Sequence, residues 1–233
     1  CACESGREAT AMKVGLILRK FRAKDGREIV LRTPKWEDLD DLTEFINSLV
    51  EEGADIVRDK KATREGEAEW LGQRLAELEN DKAFYMVAEV DGKVVANSEI
   101  GKREGFSSHV GGVGIAIREG YRDIGIGTEM LRTLISEAEK MGLKVLTLGV
   151  FSTNARAIHV YSKIGFRETG RVPKEVFPTS TSCPLSLALW FTTGTSSKTR
   201  FTKSSSISLR EGALCKPFAT MISRLSSLIP TFL

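Results

Sequence analysis

Residues 121–131 read YRDIGIGTEML, placing Arg122, Gly125 and Gly127 where an apolar, strand-like run gives way to a helix-like one. Glycine costs roughly 0.5–1 kcal/mol against alanine inside a regular element, so a pair at such a junction needs a reason. A nucleotide P-loop would follow its glycines with Lys and then Ser or Thr, but Gly127 is followed by Thr128 and Glu129. The dinucleotide fingerprint G-x-G-x-x-G needs a third glycine where Met130 stands. What remains is Arg-x-x-Gly-x-Gly ahead of a helix. Without side chains at the two glycines, backbone N–H groups can converge at a positive helix N-terminus, a seat for a pyrophosphate. On these residues alone, a helix-entry turn with a surface arginine stands beside that reading.

The elements that must carry these residues follow from periodicity. FRAKDGREIVLR holds Asp25-Gly26 between strand-like flanks, and FYMVAEVDGKVVANSEIGKR turns at Asp91-Gly92; both predict hairpins. Leu39, Leu42, Phe45, Ile46, Leu49 and Val50 recur at helical spacing up to Gly53. A second helix is predicted from about Thr63 to Glu79, with Trp70, Leu71, Leu75 and Leu78 on one face. HVGGVGIAI (109–117) is apolar enough for a central strand. The Gly-x-Gly turn then opens a helix striped by Met130, Leu131, Leu134, Ile135, Ala138 and Met141, with Gly142 as its left-handed cap. LKVLTLGVF predicts a strand, and Asn154 caps a helix through Ile164 that Gly165 closes. FRETGRVPKEVF begins one more strand. The order β-α-α-β-β-β-α-β-α-β is that of an α/β fold, a mixed sheet with helices on its faces.

Composition sets the outer bounds. A chain of 233 residues, 28% charged, allows one domain with an appendage or two small ones. A net charge of +3 argues for neither nucleic acid nor membrane, and no apolar run approaches the roughly 18 residues of a membrane helix. The N-terminal CACESGREATAMKVG lacks the apolar stretch of a signal peptide, so a cytoplasmic protein is expected. A seam divides the chain. From Thr179 onward 21 of 55 residues are Ser or Thr and Glu211 alone is acidic; that tail nets +5, the rest −2. The expected organisation is an extension (1–11), a domain (12–178) and a Ser/Thr-rich basic tail (179–233), disordered or foreign to the native reading frame. Cys1, Cys3, Cys183 and Cys215 all fall outside the central domain, at spacings that fit no metal motif, with both histidines far away. Neither a metal nor a disulfide framework is expected.

Two linked stretches, GIAIREGYRDIGIGTEMLRTLISEA and VFSTNARAIHVYSKIGF, resemble the GNAT superfamily of acetyl-CoA-dependent N-acetyltransferases. The likeness runs from about Glu28 to Phe177. The first stretch is similar to the family's acetyl-CoA motif. The second is similar to the strand and helix that follow it, with Asn154, Ala157-Ile158, Tyr161 and Gly165-Phe166 at the family's positions. The resemblance implies a mostly antiparallel central sheet flanked by helices, acetyl-CoA as co-substrate, and a primary amine as acceptor: a free amino acid, a small amine or a protein N-terminus.

It also implies roles. Ile115, Ala116 and Ile117 would end a central strand splayed from its neighbour, its exposed backbone holding the pantetheine arm and acetyl carbonyl. Arg122, Asp123, Ile124, Gly125, Ile126, Gly127 and Thr128 would cradle the pyrophosphate. Asn154 would bond to the cofactor arm as well as cap its helix, and Tyr161 would protonate the departing thiolate. Cap and packing residue are the plain alternatives for these last two.

An ammonium must lose a proton before it can attack. In the superfamily's ribosomal-protein alanine acetyltransferases a glutamate on the strand before the Asn motif is available, but the matching position here is Gly149. Glu99, near the end of a strand that should border the cleft, is the substitute. Glu51 and Glu52 could instead recognise the amine, and a surface charge is the plain alternative for all three. VFSTNARAIHVYSKIGF looks closer to the branch acting on free amino acids and small amines than to the alanine-specific branch. A different class, an acetyl-CoA-binding regulatory module without turnover, would need no base. A nucleic-acid module is not expected of an acidic front segment. Self-association as a homodimer stays open. Finally, GNAT domains add a last strand after the Gly-Phe segment. LSLALWF (Leu185–Phe191) is the candidate to occupy that place; if the tail is foreign it would substitute poorly and leave the final strand unpaired.

Overall fold

Both Asp-Gly pairs turn hairpins. Asp91 and Gly92 take positive φ, 50° and 79°, the left-handed pair of a tight two-residue turn. At Asp25-Gly26 the turn is closed by the Gly26 N–H, which donates to the Ala23 carbonyl oxygen at 3.0 Å. The computed structural model describes residues 13–173 and 185–192. The expected extension, most of the tail and all four cysteines lie outside the described residues.

The first hairpin pairs β1 (Ile17–Arg22) with β2 (Glu28–Arg32), followed by α1 (Leu39–Glu51) and α2 (Arg64–Glu79). The second pairs β3 (Ala83–Val90) with β4 (Lys93–Lys102), and β5 (Val110–Ile117) follows. Then come α3 (Ile126–Lys140), β6 (Val145–Phe151), α4 (Ala155–Ile164), β7 (Arg167–Pro173) and β8 (Leu185–Thr192). The expected α/β order is present, with the first hairpin contributing two strands. Helix limits follow the predicted punctuation: the Thr63 hydroxyl accepts from the Gly66 N–H at 3.1 Å, and Gly165 (φ 119°) ends α4. No helix among the described residues is long and apolar enough to cross a membrane.

Directly opposed residues share a face of a sheet, and successive residues alternate. Tyr85 on β3, Glu99 on β4 and Gly114 on β5 oppose one another in that order, so they share a face. α1 and α2 cover part of it, where Leu39, Leu42 and Leu71 bury against Val87 and Val94. Met86, Ile100 and Val113 alternate to the opposite face and join Met130, Leu131 and Leu134 of α3. At roughly 1.5–3 kcal/mol for each large side chain fully buried, that stripe outweighs the roughly 0.5–1 kcal/mol Gly127 costs the first turn of α3. Buried Arg32 forks onto Asp38 (2.6 and 2.7 Å) and Glu89 (2.7 Å), fixing the start of α1 against β2 and β3.

The sheet order is β1-β2-β3-β4-β5-β6-β8-β7. β5 and β6 are the parallel pair among the described strands, and they meet only at Val110–Gly112 and Val145–Thr147. Beyond that β5 stays on β4 as far as Ile117, while β6 stays on β8 as far as Phe151. A strand that parts from one neighbour has to be held by another, and each has one. β8 also pairs with β7 along its other edge. Leu185–Phe191 therefore occupies the last-strand place as expected of it, with both edges bonded, and the conditional alternative of an unpaired final strand does not hold.

Candidate active site

The parting of β5 and β6 leaves the facing edges of residues 113–117 and 148–151 without a partner strand. Backbone N–H and C=O groups are obligatory hydrogen-bonding groups, so such an edge persists where water or a ligand can complete it. Ile115, Ala116 and Ile117 lie on this edge. Beside the gap, β5 presents only Gly114 and Ala116 on the α1–α2 face, so nothing tall rises from the strand there.

The chain leaves the gap through a loop of left-handed residues: Gly120 (φ 82°), Asp123 (φ 65°) and Gly125 (φ 104°). Among the described residues, the backbone N–H groups from Arg122 through Thr128 have no hydrogen-bond acceptor. Those of Ile126, Gly127 and Thr128 belong to the first turn of α3, where no intrahelical acceptor exists. Seven successive donors thus meet the positive end of a helix dipole beside the gap. Gly127 packs against the strand it faces: a Cβ there would stand 3.0 Å from Ile117 Cδ1. Asp123 pairs with Arg156 at 3.4 Å, linking the loop to the first turn of α4.

Arg122 is engaged elsewhere. Its Nε donates to the Ile117 carbonyl oxygen at 2.8 Å, and its Nη2 pairs with Glu52 at the end of α1. Glu52 also accepts from the Glu119 N–H at 3.3 Å, and Arg118 pairs with Glu44 of α1 at 3.0 Å. Glu51 meets Lys61 at the surface, 2.6 Å away. These contacts tie the loop to α1, and the electropositive character of the loop is main-chain in origin.

α4 starts where β6 leaves the gap. The Asn154 side-chain oxygen accepts from the Ala157 N–H at 3.0 Å, the helix cap its position predicts. Tyr161, two turns on, is 7% exposed and packs edge-on to Phe166 at 5.9 Å. It lies with Ile126 and Met130 in the core of the α3 face. Its hydroxyl makes no hydrogen bond among the described residues, and burial pushes its pKa up to about 12.

Glu99 stands on the other face. Its Cγ and Oε1 come within 3.2 and 3.3 Å of where a Gly114 Cβ would be, so its side chain lies flat across β5, toward the strand's open edge. Beside it, Tyr85 donates to Glu77 at 2.5 Å, and Arg74 donates to both Glu77 (2.8 Å) and the Tyr85 hydroxyl (3.0 Å). Burial, and then the hydrogen bond to Glu77, push the Tyr85 phenol well above its usual value, so it keeps its proton. The Arg74 guanidinium lies 5.5 and 5.4 Å from the Trp70 and Tyr85 rings. Local sequence does not mark Gly114 or Tyr85, which reach Glu99 through register. The alternating glycines of GGVGIAI were the available signal. No group of three His, Cys, Asp or Glu residues that could hold a metal occurs among the described residues.

This arrangement has known counterparts. The family model of the acetyltransferase (GNAT) family matches residues 43–166. The chain belongs to the GNAT family. The match takes in Glu99, the gap, the loop and α4 together. An N-alpha-acetyltransferase of Sulfurisphaera tokodaii is 35% identical over 103 residues, spanning 39% of this chain and 60% of that one. An L-methionine sulfoximine/L-methionine sulfone acetyltransferase of Pseudomonas paraeruginosa is 28% identical over 93 residues, spanning 39% of this chain and 54% of that one. The chain thus spans little more than half the length of these GNAT relatives. The GNAT fold itself extends further. The solved structure of a phosphinothricin acetyltransferase from Sinorhizobium meliloti, in complex with acetyl-CoA, superposes with a TM-score of 0.63 at 17% identity. That superposition covers 76% of this chain and 94% of that one.

Proposed function

We propose that this GNAT chain transfers an acetyl group from acetyl-CoA to a primary amine. The observation that carries the proposal is the unbroken run of backbone N–H groups from Arg122 to Thr128, without acceptors, beside an unpaired strand edge. A diphosphate matches the first and an extended amide-bearing arm matches the second. Ile115, Ala116 and Ile117 would hold the arm; Arg122, Asp123, Ile124, Gly125, Ile126, Gly127 and Thr128 would seat the diphosphate. Asn154 Nδ2, which has no acceptor among the described residues, would meet the arm while Oδ1 caps the helix. Acetyl-CoA, when bound, supplies an acetyl carbon activated as a thioester, so that the C–N bond forms as the C–S bond breaks. The bound complex of the Sinorhizobium neighbour supports this choice of co-substrate.

The remaining steps are proton transfers by this chain's own groups. Glu99 takes the proton that an incoming ammonium must lose, at a carboxylate held across Gly114. Tyr161 gives its phenolic proton to the departing sulfur. The two lie on opposite faces of the sheet, and the gap between β5 and β6 is where the faces communicate. Amine and thiolate can therefore enter and leave by different sides. Because burial raises the phenol toward about 12, Tyr161 remains a proton donor throughout the neutral range. Its loss of a proton should limit the rate only as pH approaches that value. Tyr161→Phe should keep acetyl-CoA affinity and lower kcat by about tenfold to 100-fold, within the range of general acid catalysis. Unchanged kcat would return Tyr161 to packing.

The direct test is a free-thiol assay with acetyl-CoA and a panel of amino acids, polyamines and peptides with free N-termini. Amine-dependent release of CoA is the expected result. The curated relatives' names span an N-alpha-acetyltransferase and an acetyltransferase of amino-acid derivatives, so the panel spans both sizes of acceptor. Tight binding of acetyl-CoA with no release on any amine would select the regulatory module instead.

A further inference from the structure

The turn of the first hairpin lies outside the residues that the family model matches, yet it grips the Gly-x-Gly loop. The Lys24 N–H donates to the Ile124 carbonyl oxygen at 3.0 Å, and Lys24 Nζ reaches the Asp123 carbonyl oxygen at 3.5 Å. Arg27 Nη2 donates to the Gly120 carbonyl oxygen at 2.9 Å. Its guanidinium also stacks 4.4 Å from the Tyr121 ring centroid, and Asp25 orients it by accepting from Nε at 2.6 Å. Three loop carbonyls are thereby committed to the hairpin.

The peptide unit makes this consequential. In a trans peptide the C=O and the following N–H point in opposite directions. Holding the carbonyls of Asp123 and Ile124 on the hairpin side turns the N–H groups of Ile124 and Gly125 to the far side. Both belong to the run without acceptors. A donor on each carbonyl also polarises its peptide, strengthening the N–H by roughly 10–30% per bond. Asp123, at φ 65°, adopts a conformation that side-chain-bearing residues keep only when their surroundings impose it. Lys24 on one side and Arg156 on the other supply those surroundings.

We propose that the β1–β2 turn is a wall of the cofactor site, with Lys24, chiefly through its main chain, and Arg27 as positioning residues that aim the loop's N–H groups at the diphosphate. This rests on reading the loop as the seat of acetyl-CoA. Lys24 occupies the second position of the turn that Gly26 closes onto Ala23, a position that favours proline. Lys24→Pro therefore preserves the turn and deletes both donors, whereas Lys24→Ala keeps the N–H. Arg27→Met deletes the guanidinium and keeps the stem. Each variant is titrated calorimetrically with acetyl-CoA and followed by thermal melting and steady-state kinetics.

Lys24→Pro should melt near the wild type, bind acetyl-CoA about tenfold more weakly or worse, raise KM to match, and leave kcat unchanged at saturation. Lys24→Ala should stay within about threefold of the wild type. Arg27→Met should bind several-fold more weakly, with Arg27→Lys recovering part of the loss. A folded Lys24→Pro with wild-type affinity overturns the proposal, and Lys24→Ala as weak as Lys24→Pro overturns the main-chain assignment. If Lys24→Pro does not fold, wild-type affinity in Arg27→Met overturns it. Wild-type protein that binds no acetyl-CoA overturns the functional reading itself, before any variant is compared.

Discussion

Gly125→Val should lower the affinity for acetyl-CoA by about 100-fold or more and leave the fold standing. Gly125 sits at φ 104°, and beyond its chain neighbours no heavy atom lies within 4 Å of where its Cβ would be. The protein alone therefore has room for the side chain, and the penalty comes from the backbone. Valine is an outlier at positive φ, a strain of roughly 1–3 kcal/mol that the loop relieves by rotating the peptides on either side. Rotation withdraws N–H groups from the seat. Charge-assisted hydrogen bonds contribute roughly 1.5–3 kcal/mol each, so losing two costs about 3 kcal/mol or more, about 100-fold in Kd. Gly127→Val should lose binding for a different reason, because its side chain presses on Ile117, already 3.0 Å from a Cβ. Calorimetric titration reads the loss, and thermal melting separates it from unfolding. Affinity within a fewfold of wild type in a folded Gly125→Val would remove the loop from the cofactor site.

The second large effect is on turnover. Glu99→Gln preserves the shape of a side chain lying across Gly114 and removes its ability to take a proton. kcat should fall by about 100-fold or more, the usual reach of a general base, while the Kd for acetyl-CoA stays put. The deficit should narrow as pH rises toward the pKa of the amine, because an acceptor that is already neutral needs no base. A deficit that is constant with pH would instead mark Glu99 as a binding group. Gly114→Ala tests the same arrangement from the other strand. Its Cβ would come within 3.2 Å of Glu99 Cγ, so the carboxylate must shift and a smaller loss of kcat should follow.

The parts legible in sequence are those whose physics is local. Asn154, Gly165 and Asp91-Gly92 do their work within a few residues, and the structure places a cap, a stop and a turn there. The Gly-x-Gly turn was legible because a left-handed entry to a helix favours glycine, and Gly125 takes φ 104° there. Contacts between distant segments leave no such mark. Arg122 reads as a loop cation, but its guanidinium goes to Glu52, 70 residues away. Lys24 reads as a turn residue, yet its side chain reaches a carbonyl 99 residues on. Gly114 acquires meaning only from the register that sets it opposite Glu99. β8 could be nominated from its alternating LSLALWF, but its seat between β6 and β7 is a matter of pairing.

That seat bears on the order in which the sheet can assemble as the chain is made. β7 is synthesised before β8 but has no other strand to join among the described residues, and β6 rests on β5 over a single short stretch. Until β8 emerges, the far side of the sheet is a pair of unsatisfied edges, the kind of surface that recruits other chains. The last of the described strands to be synthesised is thus an interior one, and its arrival holds β6 along the length that has parted from β5. The gap between β5 and β6 is completed after the glycine loop, from the C-terminal side. A nascent chain released early would carry the whole glycine loop and both proposed proton-transfer residues, with one bank of the gap left unsupported.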